Sequence, residues 1–91
     1  MRHAAWSAAS RRDLRRAFDY YKVLDADLAL RIVETIEAKG DWLAEFPFTG
    51  SPLRGRLRKS LVAGTPYLIV YRPASTGIIV GRVFHAKQNW R

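Results

Sequence analysis

Cysteine is absent from this 91-residue chain, which excludes disulfides and thiolate metal sites and makes a reducing compartment compatible. Long apolar runs are absent too. The longest, such as Tyr67–Tyr71, fall far short of the roughly 18–20 residues a spanning helix needs, so no membrane association is expected. The most telling lack is of acid. Residues 46–91 hold Arg54, Arg56, Arg58, Lys59, Arg72, Arg82, Lys87 and Arg91 but no Asp or Glu. Residues 1–45 set eight Lys/Arg against all eight Asp/Glu, so the net charge of +8 belongs wholly to the second half. A one-signed half attracts an acidic partner: nucleic acid, an anionic surface or an acidic polypeptide.

There is no internal repeat, low-complexity tract or domain boundary, and one domain over residues 1–91 is expected. The opening MRHAAWSAASRR is basic and acid-free, as transit peptides are. Trp6 in a short strand followed at once by a helix reads instead as mature structure, and a cytoplasmic location is expected.

Arg2–Ser7 alternates loosely and forms a first short strand. Ser7 or Ser10 caps the next segment, because a serine oxygen satisfies the orphan amides of a helix start. Leu14, Ala17, Phe18 and Tyr21 then follow an amphipathic helical stripe. Asp25 or Asp27 caps a second helix whose apolar face is Ala29, Ile32, Val33, Ile36 and Leu43. Gly40, unfavourable in a helix interior by up to about 1 kcal/mol, predicts a kink or break there. Phe46-Pro47 ends the helix, since the residue before proline is driven from helical geometry. Trp42 and Phe46 read as core on helical spacing. Residues 49–55, TGSPLRG, read as loop.

Three strands follow: Leu57–Leu61 by alternation, Tyr67–Arg72 by its β-branched and aromatic content, and Ile78–His85. Strict alternation puts Ile78, Val80, Arg82 and Phe84 on one face of the last strand. The order β-α-α-β-β-β is an α+β arrangement, a helical pair on one face of a mostly antiparallel sheet.

Four phrases in this order, WSAASRRDLRRAFDYY, LAEFPFTGSPLRG, RKSLVAGTPYLIVYR and IIVGRVFHAKQNW, resemble the RelE/ParE superfamily of bacterial toxins over nearly the whole chain. The long helical hairpin and the Phe-Pro phrase look more like the ParE and plasmid-stabilisation branch. The resemblance implies a toxin that forms a hetero-oligomer with a neutralising antitoxin. It implies one of two targets: DNA gyrase, inhibited by binding, as for ParE-like members, or messenger RNA on the ribosome, cut by RelE-like members.

The residue types weigh these alternatives. Cutting RNA through its 2′-hydroxyl needs an acid, a base and cations for the charged transition state. Arg58, Arg72 and Arg82 are the candidate cations and His85 the candidate acid or base. No metal or other cofactor is expected, because Mg²⁺ sites need carboxylates and residues 46–91 contain none. RNA-cutting relatives commonly place a Tyr or second His near the end of the last strand; here Ala86 follows His85, and of the aromatics only Trp90 comes later. The expectation is therefore a non-enzymatic, gyrase-binding toxin, with His85 closing its strand through a backbone hydrogen bond. Arg58, Arg72, Arg82, Lys87 and Trp90 are the candidate contacts to target or antitoxin. Arg72 and Arg82, on adjacent strands, converge on a basic patch if the register allows, having no acid in their own half to pair with. A plain nucleic-acid-binding module has little support, since no aromatic interleaves with the basic run 54–59, as stacking requires.

Overall fold

The computed structural model describes residues 2–87. Strand β1 (His3–Trp6) leads into helix α1 (Ala8–Lys22), which pairs with helix α2 (Ala26–Glu45). Strands β2 (Ser51–Arg54), β3 (Leu57–Leu61), β4 (Tyr67–Ala74) and β5 (Gly77–His85) follow. The sheet order is β1-β5-β4-β3-β2. Only β1 runs parallel to its neighbour β5; the other pairs are antiparallel. Both helices lie on one face, giving the α+β layer arrangement that the element order predicts.

Each helix starts where its cap stands. Ser7 Oγ accepts the Ser10 N–H at 3.0 Å and donates to the Gly81 carbonyl at 2.8 Å, so the α1 cap is also tied to β5. Asp25 Oδ1 accepts the N–H groups of Asp27 and Leu28, two orphan donors of the first α2 turn. The core is built from Tyr67, Ile69 and Tyr71 of β4 and Ile78, Val80 and Val83 of β5. Against them pack Ile32, Ile36, Leu43 and Ala44 of α2 and Ala17 of α1. A side chain such as Ile36 or Ile69, fully removed from water, contributes about 1.5–3 kcal/mol.

Four differences from the sequence reading have local causes. The expected loop 49–55 contains β2, a short edge strand on β3 whose register shifts between Pro52 and Arg54; proline is tolerated at an edge. Helix α2 runs unbroken through Gly40. A Cβ there would lie 2.6 Å from the Trp6 indole, so the glycine marks close packing of α2 on β1 rather than a bend. Trp42 and Phe46 are about half exposed (44% and 52%) rather than core. Finally, the β4–β5 register passes from Tyr71↔Val80 to Val70↔Arg82. Gly81 is the extra residue of a bulge, which breaks the period of two. Val83 therefore joins Ile78 and Val80 in the core, while Arg82 sits in the row of Val70.

Candidate functional site

The bulge sets the geometry around Arg82. Pairing of β1 with β5 ends at Trp6↔Val80, so the next stretch of the β5 edge faces α1. Asp13 of α1 fills it. Its Oδ2 accepts the Val83 N–H at 2.8 Å and Arg82 Nε at 2.8 Å, and its Oδ1 accepts Arg82 Nη2 at 3.1 Å. Arg16 adds a longer contact at 3.8 Å. Asp13 is buried, and its hydrogen bond holds the Arg82 guanidinium even further above its ordinary range. The expectation that Arg82 has no acid to pair with is thus corrected. The second half is acid-free in sequence, but packing delivers a carboxylate from the first.

Arg58 is committed elsewhere. It lies opposite Tyr71, and its Nη1 donates to the carbonyls of Phe48 (3.1 Å) and Gly50 (2.7 Å). Tyr71, fully buried, donates its hydroxyl to the Pro47 carbonyl at 2.8 Å and accepts the Gly50 N–H at 3.0 Å. Burial raises the Tyr71 phenol pKa, partly offset by that N–H and by Arg58. Together the two side chains pin the turn that follows α2.

Arg72 is exposed and lies opposite Ile79, two residues along β4 from the row that pairs with Arg82. The two share a sheet face, but Arg82 is drawn to Asp13, so they do not form a free basic patch. His85 ends β5 opposite Tyr67, its ring edge-on to that phenol with centroids 5.5 Å apart. His85 Nδ1 accepts the Lys87 N–H at 3.1 Å, and Lys87 itself is exposed. Trp90 lies outside the described residues. Among the described residues, no cluster of His, Asp or Glu is placed to hold a metal ion.

Beside the Asp13–Arg82 pair opens a cavity of about 300 Å³, lined by Asp13, Arg16, Tyr20, Tyr21, Tyr67 and His85 among others. Tyr20 stands 65% exposed at its rim, and Val23 and Leu24, which follow α1 in sequence, are exposed as well. Burial, with Tyr21 and Tyr20 close by, raises the Tyr67 pKa. Sequence reasoning missed Asp13 and Tyr20. The signal was available for Asp13: it shares the α1 stripe with Ala17 at a spacing of four, so a carboxylate stood on a core-facing helix face.

Set against known proteins, the chain falls in the type II toxin–antitoxin class. Residues 4–90 match the family model described as the ParE toxin of the type II toxin-antitoxin system, parDE. The chain is also 37% identical over 86 residues to the candidate toxin Y4kP of Sinorhizobium fredii, covering 93% of this chain and 88% of that one. Its fold matches a solved structure of the chromosomal ParDE system of P. aeruginosa with a TM-score of 0.80 at 22% identity, over 93% of this chain and 96% of the other. The chain belongs to the ParE toxin family. Membership implies an antitoxin as its partner.

Proposed function

We propose that this toxin acts by binding DNA gyrase without covalent chemistry, and that its cognate antitoxin silences it in a hetero-oligomeric complex in the cytoplasm. The observation that carries the non-enzymatic part is the scatter of the candidate catalytic groups. The register puts Arg58 and His85 in the rows of Tyr71 and Tyr67, four residues and about 13 Å apart along β4. Arg72 and Arg82 stand in the alternate rows. Phosphodiester cleavage needs its acid, base and cations around one phosphate, and these four groups do not surround a common point.

The antitoxin reading is supported by the groove between α1 and the β4–β5 end of the sheet. Its aromatic lining and exposed Tyr20 offer apolar area, and Val23 and Leu24, exposed at the end of α1, add to it. Arg11, Arg12, Arg15 and Arg16 give the flank of α1 an excess of positive charge that favours an acidic segment. Charge of this kind mainly raises the on-rate, while the buried apolar contacts set affinity. Stopped-flow association with the antitoxin should slow as salt rises.

The deciding experiment pairs growth arrest on induction with gyrase supercoiling and with cleavage of messenger RNA on ribosomes. Wild type should inhibit supercoiling and leave RNA intact. His85→Gln, which keeps a hydrogen-bonding side chain but no acid or base function near neutral pH, should stay toxic. RNA cleavage by wild type that falls roughly a hundredfold or more in His85→Gln, the loss expected for a general acid–base group, would refute the binding reading.

A further inference from the structure

We infer that the corner formed by the turn after α2 and the β2–β3 turn is a contact site for single-stranded nucleic acid, with Phe48 as its stacking surface. The inference does not depend on which target the toxin has. Phe48 is 68% exposed, yet the turn that carries it is held by hydrogen bonds at its carbonyl and on both sides. Arg58 bonds to its carbonyl, and Tyr71 and Arg58 grip Pro47 and Gly50 on either side. Thr49 adds both its N–H and its hydroxyl to the Phe46 carbonyl. An aromatic ring displayed in water by so fixed a backbone loses little entropy on binding, as recognition surfaces require.

The chemistry beside it is of one sign. Phe48 lines a cavity of about 270 Å³ with Pro52, Arg56, Leu57, Arg58 and Pro73. The Arg58 guanidinium carbon lies 5.2 Å from the Phe48 ring centroid. Arg54 and Arg56 flank Gly55, whose positive φ of 54° lets the β2–β3 turn close tightly, and both arginines are exposed. The charged residues lining that cavity are arginines, and arginines beside an exposed ring fit a strand that presents phosphates and an unstacked base together. Along the chain the aromatic and the basic run 54–59 are separate; the fold interleaves them. A protein epitope would gain from the ring but would not need its cavity lined by arginines alone among charged residues.

The test is fluorescence anisotropy of a labelled single-stranded DNA with the whole toxin, with a duplex of the same sequence and a single-stranded RNA as further arms. The single strands should bind more tightly than the duplex, with a salt slope of roughly −2 for about three phosphates contacted. Phe48→Ala should weaken binding about 5- to 150-fold, the loss of one stacked base. Arg54→Ser with Arg56→Ser should also weaken it and flatten the salt slope. Arg11→Ser with Arg12→Ser on α1 removes the same charge and should leave affinity within twofold. Phe48 and Arg56 are exposed, so urea midpoints should not move. Equal losses from both arginine pairs with no effect of Phe48→Ala would reduce the binding to bulk charge and overturn the inference. So would tighter binding to duplex. If Phe48→Ala spares DNA binding and instead weakens capture of purified antitoxin or gyrase, the corner is a protein epitope and the inference falls.

Discussion

Asp13 joins α1 to β5, and removing it should cost more than any surface charge of the chain. In Asp13→Ala the buried Val83 N–H loses its acceptor, which costs about 1–3 kcal/mol. The guanidinium of Arg82 also loses a two-point partner. A fully buried pair broken on one side costs about 3–5 kcal/mol. The Arg82 side chain is 43% exposed, so it re-solvates by moving outward, and its share of the loss is smaller. A total of about 2–4 kcal/mol follows. At roughly 4–8 °C per kcal/mol for a domain of this size, Tm should fall by about 8–32 °C. A double-mutant cycle with Arg82→Met, read from urea midpoints at constant m, isolates the pair itself. The coupling should be about 1–2 kcal/mol, discounted for the water that reaches Arg82. A coupling under about 0.5 kcal/mol would place the pair with ordinary surface bridges, and the argument that packing neutralises Arg82 would fail.

Gly40→Ala should destabilise by about 1–2 kcal/mol, because overpacking against Trp6 outweighs the gain in helix propensity. Combining it with Trp6→Leu should recover part of the loss, and a stabilised single variant would refute the packing account. Tyr71→Phe should cost about 1–3 kcal/mol by leaving the Pro47 carbonyl and Gly50 N–H without the hydroxyl. Hydrogen exchange should quicken at Gly50, and unchanged protection there would count against the pinned turn. The raised pKa of Tyr67 means its neutral form is favoured by folding. The folded state then holds this proton after the unfolded chain has released its own. Its contribution is fully present below the ordinary tyrosine value near 10 and is lost as pH rises through the higher folded value. Stability should decline on that alkaline side, and Tyr67→Phe should flatten the decline, as urea midpoints across pH would report.

Periodicity and composition determined most of the architecture. The α1 stripe of Leu14, Ala17 and Tyr21, the Asp25 cap and the Phe46-Pro47 stop are local signals, set by interactions within a few residues. The dense β-branched and aromatic run of β4 likewise needed no distant information. What failed depended on partners far along the chain. Gly40 reads as a helix breaker until Trp6 arrives, and β2 reads as loop until β3 pairs with it. The bulge at Gly81 turns one extra residue into a change of face, which no alternation rule contains. The candidate site depended on these contacts most. Arg82 has no acid within its own half of the sequence, but Asp13, 69 residues away, bonds to it. Phe48 lies outside the basic run, yet the turn pinned by Tyr71 and Arg58 sets it beside those arginines. Charge interactions and close packing act through space, so their outcome is fixed only when sheet register and helix docking bring distant side chains together.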